Sequence, residues 1–302
     1  MKMQSLIASG LVFASAQVAS AVTIGYWQLN DGLAGNAATT IASQVNAPDA
    51  NGVASGNAGG PVPVFSSDTP GPVIRDGLAG SFITNGNNTS LSFDNTGGVN
   101  STGGGVVTIQ DPAGNNSLLE PSGNFTVEGF VKINSHVNFA SLVGKARTPG
   151  NNASWEIDTN SNGTLRLRVD SNTTIGTDVA GGGDGQFNQA LGTGFNLEDS
   201  QWHHFAMTYD AAQRRVTLFG DYLQQNTTIL GDSGIIQFDD FPLHFGNLAG
   251  GRALDGLLDE IRYSTGILTT AQFLRASPLP EPASASLLIL GAAALMRRRR
   301  LA

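Results

Sequence analysis

The sequence has no cysteine among its 302 residues. Disulfides, zinc–thiolate centres and cysteine nucleophiles are therefore excluded, so the compartment has to be inferred from targeting signals. Charged residues are also scarce, at 13% of the chain, and the helix formers Lys, Glu and Met are few, whereas Gly reaches 39 residues. This composition favours strands and turns, and an all-β sandwich of this size often forms a single domain.

Basic residues are few once the termini are set aside. The formal net charge is −8, but Lys2 and the four arginines at 297–300 supply five of the sixteen basic residues. The rest of the chain carries 11 basic residues against 24 acidic ones. This balance opposes binding to nucleic acids and suits cations or neutral sugars as ligands.

The first 21 residues, MKMQSLIASGLVFASAQVASA, predict export. A lysine precedes an apolar stretch from Leu6 to about Val18, and Ala19 and Ala21 form a small-x-small ending. This pattern is typical of a Sec signal peptide, so we expect the Sec translocon and signal peptidase as partners, with cleavage near Ala21. The alternative is a buried N-terminal helix, although a strand-like VTIGYWQL follows at once.

The last segment, 277–302, is apolar and ends in arginines. Fourteen uncharged residues, 283–296, would span about 21 Å as a helix, which is short for a hydrocarbon core of about 30 Å. Arginines at 297–300 would stop outward transfer on the cytoplasmic side, and the prolines at 280 and 282 prevent the helix from extending backward. The segment is therefore expected to be a transient inner-membrane anchor.

The order of these features resembles the PEP-CTERM sorting signal of exported Gram-negative proteins. The residues that carry the resemblance are Pro280, Glu281, Pro282, Arg297, Arg298, Arg299 and Arg300. The resemblance implies that an exosortase, an integral-membrane cysteine protease, recognises the tripeptide and removes the tail. It also implies delivery to the cell surface or the extracellular matrix. The alternative is an ordinary single-span anchor.

Residues 22–276 are predicted to form the exported domain. FTVEGFVKI at 125–133 alternates apolar and polar residues, and SWEIDTNSNGTLRLRV at 154–169 predicts a hairpin that turns at 160–163. A second hairpin is predicted to turn at 210–213, and LTTAQFLRAS at 268–277 is the one candidate helix, with Thr269 or Thr270 as its cap. Strands without intervening helices predict an antiparallel two-sheet sandwich.

These elements together resemble the LamG-like jelly roll of the concanavalin A-like lectin/glucanase fold. The matching segments are IGYWQLND at 24–31, NFTVEGFVKI, SLVGKA, QWHHFAMTYD, PLHFGN and LDGLLDEIRYS. The resemblance is strong from Asn124 onward, whereas residues 84–105 read as a loose insertion or loop. It implies a curved concave face and an extracellular polysaccharide or a surface protein as the partner.

The sequence EID at 156–158 is the strongest candidate for catalysis. Some glucanases of this fold carry E-x-D-x-x-E on one strand, and Glu156 and Asp158 share a strand face here. Asn160 and Ser161 stand where the third carboxylate would be needed. A retaining glycosidase needs a carboxylate nucleophile and a separate acid, so a non-catalytic adhesion or carbohydrate-binding module is predicted. The alternatives are a glycan hydrolase and a purely structural matrix protein.

The histidines predict no metal site. His203 and His204 are neighbours on a strand, so their side chains point to opposite faces and one of them is expected to be buried and hydrogen-bonded. His136 and His244 stand apart in the sequence.

Asp259 is the carboxylate whose charge most requires compensation in the folded protein. Strict alternation in LDGLLDEIRYS places it on one face with Leu257, Ile261 and Tyr263. A buried carboxylate has to be paired, hydrogen-bonded or bound to a metal. Resemblance to LamG-like proteins implies a Ca²⁺ ion here, with oxygen ligands from Asp259 and from the N-terminal loop, at Asp31, Asp49 and Asn51. Backbone amides or Arg252 are the alternative.

Overall fold

The computed structural model describes most of the chain between Ala21 and Ala276. The described residues are 21–46, 49–57, 59–74, 83–84, 87–95, 103–111, 117–148, 151–170, 189–230, 236, 238, 241–248 and 252–276. The predicted signal peptide and the predicted sorting segment both lie outside these residues. Within them the structure contains strands and no helix, and accordingly none that could cross a membrane.

The strands form two large antiparallel sheets and one small sheet. Sheet A contains β1 (Val22–Trp27), β4 (Val64–Ser66), β7 (Ser90–Phe93), β9 (Phe125–Ile133), β14 (His203–Asp210), β15 (Arg215–Gly220), β16 (Leu223–Ile229) and β18 (Gly256–Thr265). Sheet B contains β2 (Thr40–Ile41), β3 (Gly52–Asn57), β8 (Gly104–Ile109), β10 (Ser141–Thr148), β11 (Asn151–Thr159), β12 (Thr164–Val169), β13 (Gln189–Asn196) and β17 (Leu243–Phe245). Sheet C contains β5 (Val73–Ile74), β6 (Ile83–Thr84) and β19 (Arg275–Ala276).

The order of the strands in each sheet places β9 and β18 near the centre of sheet A, and β10 and β17 near the centre of sheet B. Sheet A runs β16-β15-β14-β9-β18-β7-β4, with β1 also paired to β18. Sheet B runs β13-β12-β11-β10-β17-β8-β3-β2. Strands far apart in the sequence are therefore neighbours, as in a jelly roll.

The two large sheets pack face to face through aromatic side chains. The ring of Trp27 in sheet A lies 5.1 Å from that of Phe245 in sheet B, and the ring of Trp155 in sheet B lies 5.7 Å from that of Tyr263 in sheet A. All four side chains are fully buried, and apolar residues of both inner faces complete the core. Each sheet therefore has an inner face toward the core and an outer face on the opposite side of the molecule. The prediction of an all-β, two-sheet antiparallel sandwich is confirmed.

Both predicted hairpins are present. β11 and β12 pair across the turn at 160–163, where the Asn160 amide donates to the Thr164 carbonyl at 2.7 Å and Gly163 adopts a left-handed φ of +75°. A side chain is strained in that conformation, so glycine suits the last turn position. β14 and β15 pair in the same way across residues 211–214.

The candidate helix at 268–277 is a wrong prediction over its described part. Residues 270–273 form a turn, and the chain then enters the short strand β19. A helix this short has little stability of its own, and tertiary contacts compete with it. The Leu274 amide donates to Glu128 at 2.8 Å, and Arg262 donates to the Gln272 carbonyl at 2.6 Å, so the segment is held across the outer face of sheet A.

The supposed loop at 84–105 also contains regular structure. β7 lies between β18 and β4 in sheet A, and β8 begins at Gly104 between β17 and β3 in sheet B. Leu91 and Phe93 are buried, which explains why this otherwise polar stretch joins the sheet. Short strands with only two apolar residues give a weak sequence signal.

A β-bulge interrupts the alternation that was expected in β18. The register with β9 shifts between Asp259 and Arg262, and Glu260 adopts a φ of +53°. An extra residue in one strand changes which face the following side chains occupy. Ile261 consequently joins the core, whereas Asp259 does not share its face as strict alternation predicted.

Candidate functional site

The outer face of sheet B carries a row of charged residues on the β11–β12 hairpin. Trp155 and Ile157 point into the core, so Glu156 and Asp158 point outward from β11. The hairpin register places Arg168 opposite Glu156 and Arg166 opposite Asp158. The turn therefore fixes two arginines beside two carboxylates.

The four side chains form close ion pairs. Arg166 binds Asp158 with both arms of its guanidinium, from Nε to Oδ1 at 2.8 Å and from Nη2 to Oδ2 at 2.5 Å. Arg168 donates to Glu156, and its Nε lies 2.9 Å from Oδ2 of Asp158. Both carboxylate side chains are 0% exposed, so the arginines cover them.

Arg252 joins this group from the segment before β18. Its carbonyl accepts a hydrogen bond from the Ser141 amide at 2.9 Å, which fixes it beside β10. The Nη1 atom of Arg252 lies 3.9 Å from Oε2 of Glu156 and 3.7 Å from Oδ2 of Asp158. These distances permit attraction but exceed a normal hydrogen bond.

The ring of Phe139 lies beneath two of the arginines. The guanidinium carbon of Arg166 is 4.5 Å from the ring centroid, and that of Arg252 is 5.3 Å from it. We call Glu156, Asp158, Arg166, Arg168, Arg252 and Phe139 the carboxylate–arginine cluster. It combines forked hydrogen-bond donors with an aromatic surface, as sites for polar ligands commonly do.

Burial changes the acidity of the cluster. Burial raises the pKa of the Glu156 carboxyl to about 7; attraction by Arg168 opposes this rise and repulsion by Asp158 adds to it. Burial also lowers the pKa of the Arg252 guanidinium, with further repulsion from Arg168. Burial therefore makes the charged forms of Glu156 and Arg252 less favourable in the folded protein than in water.

The two adjacent histidines contact different parts of the protein. His204 is buried, its Nε2 lies 2.9 Å from Oε2 of Glu128, and its ring stacks on Tyr222 with centroids 4.5 Å apart. His203 lies between Asp199 and Asp221 instead, at 2.8 and 3.0 Å. The prediction of opposite faces with one buried, hydrogen-bonded histidine is confirmed.

The other two histidines lie on other segments of the chain. His136 pairs with Glu198, and this hydrogen bond raises the pKa of His136. His244 is buried on β17.

Three of the four residues proposed for calcium have hydrogen-bond partners in the structure. Asp259 is fully buried, and Asn87 Nδ2 donates to its Oδ2 at 2.8 Å. Asp31 accepts a hydrogen bond from the Ala42 amide at 3.2 Å, and Asn51 accepts one from the Ser43 amide at 2.9 Å. Asp49 is exposed.

A calcium ion held by Asp259, Asp31, Asp49 and Asn51 stays a prediction. Among the residues that the structure describes, no three His, Cys, Asp or Glu side chains are arranged to hold a metal ion. Arg252, the alternative partner suggested for Asp259, belongs to the carboxylate–arginine cluster on sheet B.

Sequence reasoning found the two carboxylates and missed the three arginines. Arg166 and Arg168 alternate with Leu165, Leu167 and Val169, and the predicted turn already implied that they face β11. Pairing residues outward from that turn would have placed Arg166 opposite Asp158 and Arg168 opposite Glu156. Arg252 carried no comparable signal, because tertiary structure alone brings it close.

Structures of other proteins share this fold at low sequence identity. Domain 4 of AbnA, an extracellular GH43 arabinanase from Geobacillus stearothermophilus solved with arabinotriose, is 12% identical with a TM-score of 0.52, covering 84% of this chain and 97% of that one. The binding domain of Paraclostridial Mosquitocidal Protein 1 is 13% identical with a TM-score of 0.51, and the match covers 84% of this chain and 50% of that one. The binding domain of botulinum neurotoxin DC in complex with SialylT is 9% identical with a TM-score of 0.50, again covering 84% and 50%.

The family match identifies the chain more directly. No curated protein sequence matches it. The family model described as "Concanavalin A-like lectin/glucanases superfamily" matches residues 100–272, which is more than half of the chain and includes the β11–β12 hairpin and β18. The chain therefore belongs to the concanavalin A-like lectin/glucanases superfamily.

Proposed function

We propose that the protein is a non-catalytic carbohydrate-binding module. The observation that carries this proposal is the burial of Glu156 and Asp158 beneath Arg166 and Arg168. A carboxylate nucleophile or acid has to reach the glycosidic bond, whereas these two are occupied by guanidinium groups. What the site offers to a ligand is donors and the ring of Phe139.

The related structures support the same class of ligand. Domain 4 of AbnA was solved with arabinotriose, and the neurotoxin binding domain was solved with SialylT. At identities of 12% and 9% these likenesses concern the fold alone. Under this proposal the chain shares with those domains the binding of a saccharide, and its own site is the carboxylate–arginine cluster.

A glycan array with the purified protein tests the proposal. Binding to a defined set of glycans is expected, and Phe139→Ala should weaken it because the ring no longer stacks on the sugar or supports the arginines. Trp202→Ala is the matched control, because Trp202 is an aromatic residue that packs on the outer face of sheet A. An array without any bound glycan would contradict the proposal and favour the alternative of a structural matrix protein without a discrete ligand.

One observation favours a glycan hydrolase as the second candidate. The pKa of Glu156, raised to about 7 by burial, is in the range of a general acid, and Asp158 is a second carboxylate on the same face. A reducing-end assay on soluble polysaccharides separates the two functions. We expect no turnover above background, and turnover that disappears in Glu156→Gln would favour the hydrolase.

Export and sorting complete the proposal. The sequence pattern of a signal peptide at 1–21 supports passage through the Sec translocon, and the pattern at 280–300, which resembles a PEP-CTERM signal, supports processing by an exosortase from a precursor held in the inner membrane. The mature protein would then act at the cell surface or in the extracellular matrix, where polysaccharide is its partner.

A further inference from the structure

Positive charge exceeds negative charge in the carboxylate–arginine cluster. Three guanidinium groups surround two carboxylates, and Arg166 and Arg168 already pair with Asp158 and Glu156. Only 11 basic residues lie outside the terminal segments, yet three of them converge here. The outer face of sheet B therefore has a local positive site on an otherwise acidic protein.

Arg252 carries the surplus charge. Its Nη1 atom is buried and has no hydrogen-bond partner among the described residues. Arginine stays charged in proteins, so a buried donor of this kind is costly unless a partner reaches it. The side chain as a whole keeps 23% of its surface exposed.

Two residues of the site, Phe139 and Arg252, have strained backbone conformations. Phe139 has a φ of 60° and Arg252 a φ of 73°, and both are non-glycine residues in the left-handed region. Such conformations cost free energy and recur in ligand clamps, where the surrounding structure enforces them. Here they place a guanidinium group over an aromatic ring, with 5.3 Å between the guanidinium carbon and the ring centroid.

We infer that this site binds the carboxylate of an acidic sugar, with Arg252 as the main donor. The planar fork of a guanidinium matches the two oxygens of a carboxylate, and such bonds are about twice as strong as those between neutral groups. The ring of Phe139 would contact the apolar face of the same sugar. The inference rests on the proposed function and narrows it to uronate-like glycans, whereas the acidity of the whole chain suited cations or neutral sugars as ligands.

The test compares polymers whose carboxyl groups are either free or methyl-esterified. Polygalacturonate, alginate and hyaluronan are each measured against their methyl esters by affinity electrophoresis and calorimetry with the purified protein. We expect at least one acidic polymer to bind about tenfold more tightly than its ester, which corresponds to about 1.4 kcal/mol. Equal or tighter binding of the esters would overturn the inference and leave carbohydrate binding intact. Binding to no polymer and to no glycan on the array would overturn both.

Single-residue variants test whether the preference for the acid form over the ester depends on the cluster. Arg252→Gln should abolish the preference for the acid form, whereas Arg215→Gln, which removes one exposed charge from sheet A, should retain it. Thermal unfolding checks that each variant is folded. If Arg252→Gln does not fold, Arg252→Lys keeps the charge but cannot make two parallel bonds, so the preference should still fall. An unchanged preference in a folded Arg252 variant would assign the binding elsewhere and overturn the inference.

Discussion

Glu128 on β9 and Arg262 on the neighbouring strand β18 form a buried ion pair on the outer face of sheet A. Arg262 Nε donates to Oε1 of Glu128 at 2.7 Å, and His204 and the Leu274 amide contact the other oxygen at 2.9 and 2.8 Å. Burial raises the pKa of the Glu128 carboxyl, but attraction by Arg262 and His204 outweighs it and leaves the pKa below its usual value. The carboxylate is therefore charged and fully compensated.

Removal of one partner of this pair should destabilise the protein strongly. We expect Arg262→Met to lower the free energy of unfolding by about 3–5 kcal/mol, because Glu128 stays buried without its cation. Lys132→Met is the matched control: it breaks the pair with Asp68, whose side chains are 23% and 44% exposed, and should cost less than about 1 kcal/mol. Urea denaturation of both variants measures the difference. Similar losses in the two would contradict this account of the outer face of sheet A.

The free energy of unfolding should fall as pH rises toward 7, because Glu156 loses its proton in this range. Burial raises the pKa of this carboxyl from 4.5 to about 7 in the folded state, so the folded protein binds more protons than the unfolded chain between these values. The stabilisation is complete below pH 4.5 and is lost as pH rises through 7. Between pH 5 and pH 8 the loss should be roughly 2–3 kcal/mol.

Glu156→Gln isolates this contribution, since Gln does not titrate. The pKa values of His136 and His203 are raised by carboxylate partners, so they also reduce stability as pH rises, and the variant retains them. Denaturant melts at pH 5, 6, 7 and 8 give the slope of the free energy of unfolding against pH for the wild type and for the variant. Parallel slopes would show that Glu156 does not titrate in this range.

The sequence predicted what depends on local pattern. The turn at 160–163 and the alternation in β9 were sufficient to predict the hairpin and a strand at 125–133, because apolar side chains and turn residues recur at fixed spacing. The bulge at Glu260 was not predictable, since a non-glycine residue with positive φ leaves no mark in the sequence. The turn at 270–273 depends on Glu128 and Arg262, which are distant in the sequence.

The same distinction applies to the site. Glu156 and Asp158 were visible as a pair at spacing two, and the missing third carboxylate already argued against catalysis. Arg252 reaches them only because the segment before β18 passes beside β10. The proposal of an acidic sugar depends on the charge of this residue, whereas the composition of the chain suited cations or neutral sugars.

Calcium should leave the thermal midpoint unchanged if the contact with Asn87 is the one that compensates Asp259. The measurement compares melts of the purified protein in millimolar calcium and in chelator. A ligand that binds only the folded state at a hundredfold excess over its Kd would contribute about 2.7 kcal/mol, which such melts resolve. An upward shift that disappears in Asp259→Asn would instead support the calcium site suggested by the resemblance to LamG-like proteins.

Processing of the tail is tested by mass spectrometry of the surface form. We expect this form to lack the residues after the motif at 280–282, and Glu281→Ala or deletion of residues 297–300 to leave an unprocessed or mis-sorted precursor. Ser277→Ala, just outside the motif, serves as the control and should be processed normally. Recovery of the intact C-terminus, Ala302, from the surface form would contradict removal of the tail.

The last described residues and the carboxylate–arginine cluster lie on opposite sides of the domain. Leu274 contacts Glu128 on the outer face of sheet A, and β19 pairs with β5 in sheet C. The carboxylate–arginine cluster lies on the outer face of sheet B, on the far side of the core. The described chain therefore ends on the outer face of sheet A, opposite the carboxylate–arginine cluster. A polymer bound at the proposed site would accordingly lie on the side of the domain opposite to the point where Ala276 ends the described chain.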